Sequence, residues 1–471
     1  MLQKKKNFFL ILLIFSLLLN TRALSNEDVK IKKIVEGLNL PAHLSENKFI
    51  SQNSVFVLEH KSGQIREIQN YNKNPKINLK PILNIESLIS ENENWEQGIN
   101  GFAFSPNFKE DKYIFVSYNN KENQIILSRF KYDDKIKQAK ISSEVELLNV
   151  ERLSSDDTPE HNCGTISFNP KDNYLYTCLG DTRVAKSAQN IKVLNGKILR
   201  IDPFNFSENG KNYSYVRENP FTQLDGKAEI LFLGFRNPWK FSFDSETGDI
   251  YIPDVGSEYI EELNIVKYEN FNNYLNFGAG CFEGSYRIYD KHYKDILNSK
   301  KLCLNNINDP LIRMIEPKLQ YFHESLLSTG DNDYGNSITG GVVYKNKKSI
   351  WHNHYFFADF VTSNIWYLDT NKKNYIGINL YSGEYLGLTS INQVDDKLLA
   401  TSEKGSIYEI ILPNKKNLEK SIYNKPIIYT KLHAAHVMNR SNRIIFTTSS
   451  NFYKFLVKVR KIKKKLFGFN Q

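Results

Sequence analysis

EILFLGFRNPWKFSFDSETGDIYIPDVGSEYIEELNIV, the stretch at residues 229–266, decides the fold of this chain. Its apolar runs are interrupted by Arg-Asn-Pro, by a turn and by an acidic cluster. FSFD and DIYIPD alternate apolar with polar residues, and the intervening SETG has the composition of a tight turn, so residues 241–252 are predicted to form a β-hairpin. Polar residues flank both ends of this hairpin. Because these ends meet at one edge of a sheet, we expect a site there.

A pattern of two β-rich runs joined by a turn recurs along the chain. Copies begin at residues 54, 112, 173, 249, 355 and 396. Matching strands precede three of the copies, at residues 101, 166 and 241. Repeats of a few antiparallel strands about 40 to 60 residues apart are typical of a β-propeller, in which each blade buries its faces against its neighbours. We therefore predict an all-β, six-bladed β-propeller at residues 26–412.

The spacing of the repeats lengthens at residues 269–335, where an inserted loop region is predicted. This segment is rich in Asn, Tyr and Lys. Two interpretations stay open: the loop region covers a central site, or it is a surface loop without a role in function.

The formal net charge of +10 is concentrated at the two ends of the chain. Residues 1–25 hold four basic and no acidic residues, and residues 454–471 hold seven basic and no acidic residues, which leaves 10 − 4 − 7 = −1 for the rest. Because the body is nearly neutral, we expect no nucleic-acid partner.

The N-terminus has the arrangement of a signal peptide. Three lysines precede an apolar run at residues 8–19, and small residues follow at Ala23 and Ser25. We predict a signal peptide at residues 1–25 and export to the periplasm or the medium, with an uncleaved anchor as the alternative. Residues 413–471 are predicted to be a linker and a basic tail, either an amphipathic helix in peripheral contact with an anionic membrane or a disordered segment.

Export makes the four cysteines candidates for disulfides. If residues 169–172 form a turn, Cys163 and Cys178 fall opposite each other on neighbouring strands, and a bridge is plausible. Cys281 and Cys303 bracket a polar loop that a second bridge would close. The Cys and His spacings do not fit a zinc site.

Polar residues that could carry chemistry stand where strands end. His161 begins and Asp181 ends the hairpin of the third repeat, so the fold would place an imidazole close to a carboxylate, as a general base requires. A purely structural pair is the alternative. Arg236 could cap backbone carbonyls or polarise a substrate carbonyl or quinone oxygen.

The acidic turn DVGSEYIEE offers hard oxygen groups close together, which suits Ca²⁺. A solvated acidic turn is the alternative interpretation. The candidate ligands are the main-chain carbonyls of Gly256 and Ser257 and the carboxylates of Glu258, Glu261 and Glu262.

These residues carry a family resemblance. GFRNPWKFSFDSETGDIYIPDVG, at residues 234–256, closely resembles the signature of the glucose/sorbosone dehydrogenase family, the soluble pyrroloquinoline-quinone (PQQ) sugar dehydrogenases, which are six-bladed propellers. QGINGFAFSPNF from Gln97, HNCGTISFNPKDNYLYTCLGD from His161 and SITGGVVYKN from Ser337 extend it in the expected order. The resemblance covers about residues 35–412.

The resemblance implies a role for each candidate. His161 would take the proton of the sugar's anomeric hydroxyl while hydride passes to the quinone, and Asp181 would orient His161. Ca²⁺ bound at this turn would polarise the cofactor. The implied cofactor contacts are Arg236, Asn237, Glu96 and Thr339. The resemblance implies a metal site at the carbonyls of Gly256 and Ser257, to which the composition of the acidic turn adds Glu261 and Glu262.

One departure from the family concerns charge. The glucose enzymes use lysine and arginines from the last blades against the carboxylates of the cofactor, whereas the matching residues 357–368 and 385–401 here contain almost no basic residue. Glu96 stands where a glutamine contacts the cofactor in the glucose enzymes. PQQ bound without paired charge would be held weakly.

Two main functions therefore remain. The first is an exported PQQ- and calcium-dependent dehydrogenase that passes electrons from an aldose or related alcohol to an unknown acceptor. The second is a catalytically silent propeller that binds a carbohydrate or a protein, as the hedgehog-interacting proteins of similar fold do. A glycoside hydrolase using Asp181 and Asp254 is a third, weaker option.

Overall fold

The computed structural model describes residues 29–90, 96–154, 159–207, 210–257, 260–287, 311–323 and 337–413. Almost all regular structure in these ranges is β-strand. One α-helical turn, α1, spans Phe108–Asp111. Three 3₁₀ turns occur at Ala185–Gln189, Pro220–Leu224 and Tyr268–Asn270. Among the described residues, no helix has the length and apolar character needed to cross a membrane.

Five sheets are regular antiparallel blades of four or five strands. Their strands, numbered in chain order and grouped by sheet, are β1 (Lys30–Val35) with β28 (Leu388–Val394), β29 (Lys397–Ser402) and β30 (Ser406–Ile411); β2 (Pro41–Ser45), β3 (Ser54–Glu59), β4 (Gln64–Gln69), β5 (Lys76–Ile77) and β6 (Leu83–Asn84); β7 (Ile99–Phe104), β8 (Tyr113–Asn119), β9 (Ile125–Asp133) and β10 (Gln138–Val150); β16 (Ser242–Phe243), β17 (Ile250–Asp254), β18 (Ile260–Val266) and β23 (Leu319–Phe322); and β24 (Ile338–Tyr344), β25 (His354–Asp359), β26 (Ile365–Asp369) and β27 (Ile378–Tyr381).

A further sheet of seven strands departs from this pattern. It contains β11 (Cys163–Phe168), β12 (Leu175–Leu179), β13 (Lys197–Asp202), β14 (Ser214–Tyr215), β15 (Ile230–Leu233), β19 (Leu275–Asn276) and β22 (Arg313–Met314). β13 pairs with both β14 and β15, and the outer pairs β15–β19 and β19–β22 are parallel. A separate hairpin joins β20 (Phe282–Glu283) to β21 (Tyr286–Arg287).

The sheets close into a ring. The first strand, β1, pairs antiparallel with β30 near the end of the described chain. The innermost strand β28 packs against β24 on one side and β2 on the other, and β7 packs against both β2 and β11. The prediction of an all-β propeller is confirmed, but the prediction of six blades is not. Five sheets are regular blades, and the sheet that begins at β11 departs from the blade pattern through short strands that the repeat pattern did not reveal.

Strands in the middle of the blades are buried on both faces because each blade packs between two others. β3, β12, β17 and β18 are buried along their whole length, unlike strands of a sheet with one face in water. Apolar residues from neighbouring blades fill the space between them. Phe56 of β3, for example, shares one cluster with Phe102 and Val116 of the next blade.

The predicted hairpin at residues 241–252 is confirmed, with β16 and β17 paired antiparallel. The predicted loop region at residues 269–335 is wrong in part, because its described residues contribute β19 and β22 to the seven-stranded sheet and β23 to the following blade. These strands are two to four residues long, too short to show a periodic pattern. The predicted signal peptide lies outside the described residues, as does the tail beyond residue 413.

The bridge between Cys163 and Cys178 is confirmed, with their Cα atoms 5.8 Å apart. The two cysteines are not directly opposite, however, since Cys163 pairs with Leu179 and a bulge follows before Ile166. Cys281 is buried and disulfide-bonded. The predicted pairing of Cys281 with Cys303 lies outside the described residues.

Candidate active site

The antiparallel pairing of β11 and β12 brings His161 and Asp181 together. His161 precedes β11 and Asp181 follows β12. Nδ1 of His161 lies 2.6 Å from Oδ1 of Asp181, and both side chains are buried. Gly180 permits this approach, because a Cβ there would lie 2.1 Å from the carbonyl oxygen of His161. With Nδ1–H donating to the carboxylate, Nε2 is the acceptor nitrogen of the neutral imidazole.

Backbone contacts fix the position of Asp181. Its Oδ1 also accepts the N–H of Arg183 at 2.9 Å. Its own N–H donates to the carbonyl of Arg236 at 2.8 Å, and its carbonyl accepts the hydroxyl of Ser187 at 3.1 Å. The backbone of Arg236 therefore lies beside the His161–Asp181 pair, as the sequence predicted for one rim of the propeller.

Lys197 supports the segment that carries Asp181. Its fully buried ammonium donates to the carbonyls of Ser187, Ala188 and Asn195 at 2.7, 3.1 and 2.8 Å. Burial holds the pKa of Lys197 well below its ordinary value. Lys197 is not among the residues predicted from the sequence, although a lysine at the start of the apolar strand β13 is a usable signal.

Asp254, at the end of β17, organises the turn that contains Arg236 and Asn237. Its two carboxylate oxygens accept the N–H of Arg236 at 3.0 Å and of Asn237 at 2.7 Å. Burial raises the pKa of Asp254 to about 7. A guanidinium nitrogen of Arg236 donates to the carbonyl of Val255 at 3.1 Å, so this side chain does cap a backbone carbonyl.

Two of the predicted cofactor contacts carry buried polar atoms without a partner. Oδ1 of Asn237 and Oγ1 of Thr339 make no hydrogen bond within the described structure. Because buried polar groups are almost always satisfied, these two atoms are candidates to bind a ligand. Glu96, a third predicted contact, accepts the N–H of Asn162 at 3.1 Å and therefore lies next to the His161 peptide.

The two carboxylates among the predicted metal ligands, Glu261 and Glu262, do not face one point. Glu261 accepts the N–H of Gly256 at 3.2 Å and lies 2.6 Å from Nε2 of His323. The N–H of Ser257 donates instead to Glu283 at 2.8 Å. Within the described ranges, no three His, Cys, Asp or Glu side chains are grouped as metal ligands.

Glu262 points to the opposite face of β18 from Glu261, because neighbouring residues of a strand alternate. It pairs across the strands with Asp254 and accepts the N–H of Gly284 at 2.5 Å. Burial and the Asp254 carboxylate raise the pKa of Glu262 to about 8. Glu258 lies outside the described residues.

A buried lysine that was not predicted from the sequence, Lys240, follows the Asn237 turn. Nζ of Lys240 donates to the carbonyl of Asn100 on β7 at 2.7 Å. The backbone of Lys240 touches β24, since a Cβ on Gly340 would lie 1.8 Å from the Lys240 carbonyl oxygen. Burial lowers the pKa of Lys240 to about 7. The residue therefore lies among innermost strands from different blades.

Solved structures define the class of this fold. A PQQ-bound aldose sugar dehydrogenase from Streptomyces coelicolor superposes with a TM-score of 0.56 at 18% identity, over 81% of this chain and 98% of that chain. The family model for glucose/sorbosone dehydrogenase matches residues 39–275, half of the chain. This chain therefore belongs to the glucose/sorbosone dehydrogenase family, as the motifs predicted.

Curated relatives share only part of their length with this chain. HIPL1 protein of Arabidopsis thaliana is 26% identical over 321 residues, which are 58% of this chain and 44% of that protein. Hedgehog-interacting protein of Homo sapiens is 23% identical over 355 residues, 65% of this chain and 49% of that protein. The chain thus spans about half the length of these relatives or less.

Proposed function

We propose that this protein is an exported dehydrogenase that oxidises aldose sugars or related alcohols with PQQ and Ca²⁺. The His161–Asp181 pair carries the proposal. Its imidazole Nδ1 is 2.6 Å from a buried carboxylate, and Nε2 makes no hydrogen bond to any residue of the described chain. An imidazole held in this way is suited to accept a proton from a hydroxyl group.

The chain's own residues divide the work of the reaction. Nε2 of His161 takes the hydroxyl proton of the substrate as the neighbouring C–H bond gives up its hydride. Asp181 keeps Nδ1 protonated and stabilises the imidazolium that forms. Because Asp181 is only 3% exposed, this stabilisation acts where water screens it little.

The site fits the neutral polar part of the cofactor. Asn237 and Thr339 offer unsatisfied buried oxygens, and the guanidinium of Arg236 is only partly buried. The carbonyls of Gly256 and Ser257 are hard oxygen donors of the kind that Ca²⁺ prefers. When bound, PQQ supplies a quinone that accepts the hydride, and Ca²⁺ favours that acceptance.

The test is reconstitution of the purified full chain with PQQ and CaCl₂. We expect aldose-dependent reduction of a dye acceptor, with kcat reduced by roughly 10²-fold or more in His161→Ala. His352→Ala, in the turn before β25, is the matched control and should retain the activity. If no aldose is turned over and added PQQ changes no absorption band, the dehydrogenase proposal is wrong.

The scarcity of basic residues in the last two blades favours a second function. Residues 357–368 contain no Lys or Arg, and residues 385–401 contain only Lys397. A propeller that binds a carbohydrate or a protein without catalysis needs no such charge, and the relatives include Hedgehog-interacting protein. This alternative predicts that titration with PQQ leaves the tryptophan fluorescence of the chain unchanged. It also predicts that a glycan or a protein ligand binds to the chain saturably.

A further inference from the structure

A cavity lies at the opposite end of the innermost strands from His161. It has a volume of about 410 Å³ and is lined by residues 43, 45–49, 102–105, 108 and 166–168, from β2, β7, β11 and their adjoining turns. We call it the far-end pocket. His161 precedes β11, whereas Ser167 lies near the other end of that strand. Because a strand rises about 3.3 Å per residue, the two residues are roughly 15–20 Å apart.

Unused hydrogen-bonding groups face the far-end pocket. His43, Ser45 and Ser167 all line it, all are partly exposed, and none of their side chains makes a hydrogen bond to a described residue. His43 and Ser45 are two residues apart on β2 and therefore project from the same face. Although part of the His43 side chain is exposed, the surrounding strands keep most water from its ring. This desolvation and the charge on Lys240 lower the pKa of His43 to about 3, so its imidazole is neutral.

Aromatic rings supply the apolar part of the lining. Phe102, Phe104 and Phe168 contribute from the inner strands, and Phe49 stands in the adjoining turn with 62% of its surface exposed. Rings beside hydroxyl and imidazole groups form a surface with both apolar and hydrogen-bonding parts. A ligand that fits it needs C–H faces as well as hydroxyl groups.

The far-end pocket is lined by one residue of each charge, Glu46 and Lys48. Nζ of Lys48 lies 2.5 Å from the carboxylate of Glu46 and 2.9 Å from that of Asp395, which stands outside the lining. The lining residues therefore carry no net charge, and both carboxylates that contact Lys48 are engaged by it, so the lining offers no unpaired charge to an ion. The ligand that matches this lining is therefore uncharged.

We propose that the far-end pocket binds an uncharged, polyhydroxylated ring of the size of a pyranose. This site is separate from the His161 site and does not depend on PQQ or Ca²⁺. His43, Ser45 and Ser167 form hydrogen bonds with the hydroxyl groups of the sugar, and the phenylalanine rings pack against its C–H groups. A volume of about 410 Å³ lies within the usual range for small-molecule sites.

Saturation-transfer NMR of the full chain with methyl β-D-glucopyranoside tests this proposal. The probe has no free anomeric hydroxyl, and PQQ is omitted, so binding does not depend on dehydrogenase activity. We expect a saturable signal that is lost in Ser167→Phe, which fills the pocket, and weakened about fivefold in Ser45→Ala, the factor expected for one neutral hydrogen bond. Binding by His161→Ala should equal that of the wild type.

Circular dichroism spectra must show that each variant is folded, and Ser45→Ala provides the test if Ser167→Phe does not fold. Absence of saturable binding would overturn the proposal. So would binding that His161→Ala abolishes and both serine variants retain, because the sugar would then occupy the other end. Displacement of the glycoside by an apolar dye alone, without any effect of Ser45→Ala, would overturn the assignment to a hydroxylated ligand.

Discussion

Nδ1 of His161 lies 2.6 Å from Oδ1 of Asp181, and the hydrogen bond joins two buried side chains at the ends of β11 and β12. If this carboxylate sets the imidazole tautomer, Asp181→Asn should lower kcat of the reconstituted protein by roughly 10²- to 10⁴-fold with little change in fold. Asp172→Asn, in the turn between the same two strands, is the control. Steady-state dye reduction decides the matter, and an unchanged kcat in Asp181→Asn would contradict the proposed base.

Thr339 carries a buried hydroxyl without a partner, whereas the hydroxyl of Thr362 donates to Asp359 at 3.0 Å. We therefore expect opposite results from the same substitution. Thr339→Val should leave the free energy of unfolding of the cofactor-free protein unchanged or higher by about 1 kcal/mol, while Thr362→Val should lower it by about 1 kcal/mol.

Urea denaturation measures both variants. If Thr339 contacts the cofactor, Thr339→Val should also weaken PQQ binding about fivefold, as seen by fluorescence titration. Equal PQQ affinity in Thr339→Val and the wild type would remove Thr339 from the cofactor site.

Lys240 makes stability depend on pH. Its pKa is about 7 in the folded chain and 10.5 when unperturbed, so the unfolded chain binds more protons between these values. The free energy of unfolding should therefore rise with pH in this window, by on the order of 3 kcal/mol between pH 7 and 9.5 from this one group.

Lys240→Met should remove that rise, and the exposed Lys109→Met should keep it. Denaturation at the two pH values gives the comparison. A parallel pH dependence in all three proteins would show that the Lys240 ammonium is not buried as described.

The bridge between Cys163 and Cys178 closes a loop of 15 residues next to His161. The double variant Cys163→Ala/Cys178→Ala should lose about 3 kcal/mol of unfolding free energy, because the unfolded chain regains the freedom of this loop. Urea denaturation measures the loss, and non-reducing peptide mapping checks the bond. Free thiols at both positions in the wild-type protein, purified without reductant, would rule the bridge out.

Much of the fold was readable because its signals are local. Alternation in FSFD and DIYIPD, with SETG between, was enough to predict the pairing of β16 with β17. The same reasoning placed His161 and Asp181 at one hairpin end. Short strands such as β19 and β22 could not be predicted, because two residues show no periodicity and their parallel pairing joins distant segments of the chain.

The candidate site was predictable where its residues lie at the two ends of one hairpin, as His161 and Asp181 do. From the sequence, Asp254 is one of the polar residues beside the hairpin and a candidate hydrolase carboxylate, whereas in the structure it accepts the N–H groups of Arg236 and Asn237. Glu261 and Glu262 are predicted to share a metal site because both lie in one short acidic segment of the sequence. Because neighbouring residues of a strand point to opposite faces of the sheet, the two carboxylates lie apart and bind different partners.

The sequence by itself determined the propeller class, the family and the pairing of His161 with Asp181, because each depends on residues close together along the chain. Only the tertiary structure decided which polar groups are left without partners. Asn237 and Thr339 at one end, and His43, Ser45 and Ser167 at the other, became distinctive only when strands from different blades surrounded them. Burial, which makes an unpaired polar atom costly and a lysine such as Lys240 lose basicity, is a property of the closed ring.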